Sequence, residues 1–236
     1  MGPAQGVAVL DSITVNGESW RKELHRMAMI HRIIQSRGKV WIELDSGEKA
    51  WIWKKDMPET GVSEGMEMEQ KDFSHMILLR QYPSALNKAV EMLARRPCSQ
   101  GEIEQKLRML QYDPQTVEMA VCKLRKEKLL DDESFSEQWV QHRTGGKYGS
   151  RRIYQELRQK GVSEETARAA LESIDGEEQL HQAVSIAKKG LSRSTAGEDP
   201  RKTLQRVMNT LVRRGYDWET ARQACQTAIR ELREEE

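Results

Sequence analysis

Three stretches of this chain match one another position by position, and that repetition restricts the fold more than any other feature. Ile103, Leu107, Gln111, Tyr112, Asp113, Val117, Ala120, Val121 and Leu124 form the first stretch. Moving 50 positions on gives Ile153, Leu157, Gly161, Val162, Ser163, Ala167, Ala170, Leu171 and Ile174. A further 54 gives Val207, Leu211, Gly215, Tyr216, Asp217, Ala221, Ala224, Cys225 and Ala228, again without an internal gap. Periods of this length mark arrays of small helical or sheet units. Each element of the pattern has a physical meaning. The first two apolar residues are four apart and share one helix face. Gly161 and Gly215 stand where a helix stops in the left-handed conformation that glycine tolerates. Gln111 stands there in the first repeat, a departure expected to loosen its turn. An N-cap follows: Asp113 before Pro114, Ser163 before Glu164 and Glu165, and Asp217. The closing helix then carries apolar residues at i, i+3, i+4 and i+7.

A third amphipathic segment precedes each pair: Leu86, Val90 and Leu93; Phe135, Trp139 and His142; Leu180, Val184, Ala187 and Leu191. Ser99-Gln100-Gly101-Glu102 has capping-box spacing at a helix start. The unit is therefore three helices, repeated over 81–130, 131–175 and 176–236. Such a unit buries little alone, so the expected fold is mainly α, three tandem three-helix repeats in an elongated curved array. The charged share of 32% suits a large solvated surface.

Residues 1–80 differ in character and hold four of the six tryptophans: Trp20, Trp41, Trp51 and Trp53. Alternation in Lys39–Leu44, the turn residues Asp45–Glu48 and the run Ala50–Trp53 predict a β-hairpin over about 39–54. Val7–Val15 adds a candidate strand. The tryptophans read either as the core of this small β-containing region or as a platform on which bases stack.

Catalytic patterns are missing. Thr144-Gly145-Gly146-Lys147 is followed by Tyr148 and lacks the spacing that wraps phosphates, so nucleotide hydrolysis is not expected. The five histidines form no HExxH and pair with no cysteine at zinc spacing. Neither cofactor nor metal is expected. Cys98, Cys122 and Cys225 are an odd number without a CxxC pair, which suits a reducing cytoplasm. Residues 1–12 lack a signal-peptide pattern, and no apolar run is long enough for a membrane span. The formal charge is only +1, so contact with nucleic acid or an acidic partner must rest on local clusters. The densest is Arg143, Lys147, Tyr148, Arg151, Arg152, Arg158 and Lys160, opposed by Glu156 alone. Arg151 and Arg152 open a helix, where cations oppose the dipole, as they would at a site meeting phosphates or acidic groups. A second group, Arg201, Lys202, Arg206, Arg213 and Arg214, lies on the corresponding helix of the third repeat. A solubilising face is the competing reading of both.

The motifs Ser99-Gln100-Gly101-Glu102-Ile103 with Lys106-Leu107, Leu130-Asp131-Asp132-Glu133-Ser134-Phe135, and Lys147-Tyr148-Gly149-Ser150-Arg151-Arg152-Ile153 with Glu156-Leu157 and Lys160-Gly161-Val162 resemble, in order and spacing, the signature of the RecX family. The resemblance covers about residues 84–234. Ser150 stands where the family often has proline, and Ser136 where it often has alanine. Residues 1–80 are similar to the extension of longer members from Gram-positive bacteria. The resemblance implies three tandem three-helix repeats in a monomeric cytoplasmic regulator that is not an enzyme. It further implies binding to the RecA recombinase filament, with single-stranded DNA inside it. The implied effect is modulation, as inhibition, of recombinase, ATPase and coprotease activities in homologous recombination, DNA repair and the SOS response. A helix-turn-helix DNA-binding regulator is the alternative from another class.

Overall fold

A computed structural model describes residues 26–193 and 199–234. The expected strand at Val7–Val15, and Trp20, lie outside the described residues. What is described groups into two compact units. One holds a four-stranded sheet, the first part of a long helix and the segment Leu110–Val117; the other holds Leu86–Met109 and the chain from Glu118 onward.

In the first unit, β1 (Met27–Ser36), β2 (Lys39–Leu44), β3 (Lys49–Trp53) and β4 (Glu67–Glu69) form an antiparallel sheet in the order β3-β2-β1-β4. The hairpin of β2 and β3 is the one its alternation announces, with Val40, Ile42 and Leu44 all buried. The sequence concealed β1 because a bulge between Ile30 and Arg32 shifts its register. Ala28 and Ile30 face inward before the bulge and Ile33 after it, so strict alternation fails. Phe73 and Ile77 cover the inner face from α1 (Gln70–Arg95). That helix starts well before the change of period expected near Ser84, and it tolerates Pro83. Its buried positions include Gln81, Ala85 and Ala89, while Val90 is 43% exposed. Gln81 is fully buried because both ends of its amide are used. The Nε2 group donates to Trp51 O (2.6 Å), and Oε1 accepts from Asp113 N–H (2.7 Å).

The remaining helices follow the repeat: α2 (Gln100–Met109), α3 (Pro114–Lys126), α4 (Asp132–Gly145), α5 (Ser150–Gln159), α6 (Glu164–Leu171), α7 (Gly176–Leu191), α8 (Pro200–Arg213) and α9 (Trp218–Glu234). All three expected N-caps form. Asp113 Oδ1 accepts from Gln115 N–H, Ser163 Oγ from Thr166 N–H, and Asp217 Oδ1 from Thr220 N–H. Gln111 adopts φ +65°, alongside Gly161 at +79° and Gly215 at +93°, so the first turn is as left-handed as the others. Ile103, Leu107, Ile153, Leu157 and Leu211 are completely buried. Val121 and Cys225 are buried, whereas Leu171, at the equivalent position, is only half-buried. The reason is that α6 ends at Leu171, while α3 and α9 run on past that position.

Candidate functional site

The basic stretch around Arg151 folds into the joint between the second and third repeats. α5 starts at Ser150, and its N-cap Gly149 offers no side chain. Backbone does the work instead. Gly149 N–H donates to Arg214 O (2.9 Å) and Arg151 N–H to Gly215 O (3.1 Å), so the third repeat's turn supplies the carbonyls that α5's first amides need. The joint between the first two repeats is built alike. Ser99 and Glu102 close a capping box, each accepting the other's N–H at 3.2 Å. Ser99 Oγ donates to Lys160 O, the position equivalent to Arg214 O. A Cβ on Gly101 would stand 2.6 Å from Gly161 Cα, so backbone meets backbone with no room for a side chain. Within the sheet unit, the first repeat's turn finds substitutes for these donors. Lys39 Nζ reaches Leu110 O (3.3 Å) and Trp51 Nε1 reaches Gln111 O (2.6 Å).

Electrostatics follow from this packing. Glu156 accepts from Arg143 Nε (2.6 Å), Arg152 Nε (3.1 Å) and Trp139 Nε1 (3.2 Å). Burial alone would raise its carboxyl, but these donors outweigh it and hold the pKa below the ordinary value. Glu102 is similar: burial works against it, while hydrogen bonds from Arg96, Lys160 and the Ser99 amide keep it low. The Tyr148 ring is flanked by the guanidinium carbons of Arg143 at 4.0 Å and Arg152 at 4.6 Å, and Lys160 lies 4.2 Å from the Trp139 ring.

The ten candidate contact residues therefore separate. Arg143 is committed to Glu156, Arg152 to Glu156 and Arg213 O, Lys160 to Glu102, Arg158 to Val162 O, and Lys147 to Ser185 Oγ. Tyr148 is held in the cationic sandwich. Arg151, on α5, is exposed. Arg201, Lys202 and Arg206 are exposed on α8. There Lys202, Gln205, Arg206, Asn209, Val212 and Arg213 line a shallow groove of about 590 Å³. Sequence reasoning overlooked Glu102 and Gly101, although the capping box contained both. The distant partner Gly161 lies in another repeat, and no local pattern shows that meeting. Cys225 is fully in the core, where burial pushes its thiol up to about 11. Among the described residues no group of three or more His, Cys, Asp or Glu is placed to hold a metal. No described helix is long and apolar enough to cross a membrane.

Family models for the RecX first, second and third three-helix domains match residues 85–124, 131–171 and 177–225, in that order. The regulatory protein RecX of Corynebacterium efficiens is 34% identical over 156 residues, covering 62% of this chain and 74% of its own. That of Enterococcus faecalis is 29% identical over 213 residues, 89% of this chain and 79% of its own. A crystal structure of a regulatory protein RecX superposes with a TM-score of 0.56 at 25% identity, over 82% of this chain and 96% of that one. The RecX of Lactobacillus salivarius shares the fold, with a TM-score of 0.57 over 63% of this chain and 97% of its own. The three repeats, their joints and these matches agree, and the chain belongs to the RecX family.

Proposed function

We propose that this protein is a cytoplasmic regulator, without catalysis of its own, that binds the RecA recombinase filament on DNA and restrains its strand exchange, ATPase and coprotease activities. The observation that carries this reading is the ordered match of all three RecX domains to the three repeats. Its contact surface takes in the exposed cations Arg151 on α5 and Arg201, Lys202 and Arg206 on α8. The rival reading, a helix-turn-helix regulator, needs a recognition helix whose basic side chains are available to base edges. On α5, Arg152, Arg158 and Lys160 are committed within their own chain, so that reading would have to rest on α8.

The test is a titration of this protein into RecA on single-stranded DNA, following ATP hydrolysis and strand exchange. Both should fall at regulator concentrations equal to or below that of RecA, with no ATP turnover by the regulator alone. Unchanged activity of RecA from the same organism, or ATP turnover by this chain at RecA's rate, would sink the reading. Sequence-selective binding to duplex DNA in place of filament binding would favour the rival.

A further inference from the structure

The face of the sheet opposite its core gives Trp51 and Lys39 to the first repeat's turn, and carries further side chains that no contact described above uses. Strand pairing sets Ile34 beside Trp41 and Trp41 beside Trp51, on the face opposite Ile42 and Ile52. The row nearest the β1–β2 turn holds Ser36, Lys39 and Trp53. Trp51 is already covered, since it is fully buried against Tyr112, bonded to Gln111 O and overlaid by Lys39 at 3.6 Å. Ile34 is 42% exposed, and Trp41 and Trp53 are each partly buried and only partly reached by solvent. Trp53 is braced edge-on against Trp51, with ring centroids 5.1 Å apart. The row is apolar and held in place, with Ile34 at its open end.

Charge identifies what binds. Residues 26–85 balance at nine Lys and Arg against nine Asp and Glu, but the cations are unevenly placed: Arg26–Lys55 hold seven of them against three acids, with Asp56 next in the chain. The three acids, Glu43, Asp45 and Glu48, gather around the β2–β3 turn. The opposite end carries Arg37, Lys54 and Lys55, drawn together by the Lys54 N–H bond to Gly38 O (2.9 Å). All three are exposed, and among the described residues none enters an ion pair, unlike Arg143 and Arg152, which both pair with Glu156. Arg37 takes φ +35° ahead of Gly38 at +87°, in a two-residue hairpin turn where Asn or Gly is favoured. A guanidinium is thus presented at the sheet's end at some backbone cost.

We propose that this face binds single-stranded nucleic acid. One base lies on Trp41 and Ile34 and a neighbour on Trp53, while Arg37, Lys54 and Lys55 take the phosphates. A duplex keeps its bases stacked on each other and cannot use the indoles. An acidic protein partner would use the cations and leave the indole faces idle.

The test uses the full chain without RecA, titrated into labelled oligothymidylate, so its outcome is independent of the RecA reading. Single strand should be preferred over a duplex of equal length. Trp41→Ala should weaken binding about tenfold, and Trp41→Phe should restore most of it. Arg37→Glu with Lys54→Glu should weaken binding and flatten the salt dependence, by about 0.7 in the log–log slope for each phosphate no longer neutralised. Arg168→Gln, an exposed position on α6 outside the proposed contact surfaces, should leave this binding unchanged, and thermal melts should stay close to the parent's for the charge variants. Equal affinity for duplex, or parental affinity in either the tryptophan or the charge variant, would overturn the proposal.

Discussion

Gly161 combines φ +79° with direct contact to the Gly101 backbone. Gly161→Val must therefore strain the turn and push the joint open, each at a cost of roughly 1–3 kcal/mol. A urea or thermal denaturation should show the loss directly. A Gly161→Val melt matching the parent's would mean that backbone contact does not hold this joint. Arg151 is the opposite case: exposed, in the first turn of α5, and opposed to the helix dipole. Arg151→Glu should keep stability or raise it by about 0.3–1 kcal/mol, while weakening association with the RecA filament about tenfold, roughly 1.4 kcal/mol. Filament pull-down and a melt on the same preparation separate the two effects. Arg152→Glu would confuse them, because Arg152 is paired with Glu156 and lies against Tyr148.

At the level of elements, periodicity revealed what adjacent residues decide, and missed what distant ones do. The capped second and third helices of each repeat were legible because the caps, left-handed turns and apolar faces lie within a few residues of one another. β1 was hidden by its bulge, and the early start of α1 by a first turn that mixes Gln70, Lys71 and Asp72 with Phe73. The basic cluster was visible as charge, but its commitments to Glu102, Glu156 and Ser185 depend on tertiary approach. Those commitments have a pH signature. Glu102 and Glu156 are held below the ordinary carboxyl value of 4.5. The stability they contribute is present above that value and is lost as pH falls through their lowered folded values. Asp132 acts with the opposite sign, since burial raises its carboxyl above 3.8. Its contribution is present below 3.8 and is lost as pH rises through the folded value. Glu102→Gln should therefore lower stability at pH 7 and narrow the gap to the parent as pH falls below the ordinary carboxyl value of 4.5, as followed by denaturant midpoint. A gap that stays constant with pH would show that the carboxylate's charge contributes nothing to the joint.

For the whole molecule, the pattern is one of commitment. Nearly neutral overall, the chain uses most arginines of the joints on the joints themselves and leaves few cations there for partners. Its thiols are likewise withdrawn: Cys98 and Cys225 are buried and Cys122 is half-buried. Native protein should react with a maleimide at Cys122 first, with Cys225 modified only when denaturant opens the third repeat. Mass spectrometry that found Cys225 labelled in the native protein would contradict its place in that core. The backbone-to-backbone joint has a further consequence, for ancestry. A seat made of carbonyls, amides and glycine does not distinguish which copy of the unit it receives. A freshly duplicated unit could dock at once, before any substitution had adapted it to its neighbour. The register would close where that seat was lost, and in the third repeat the residue equivalent to Gly149 is Thr203, buried inside α8.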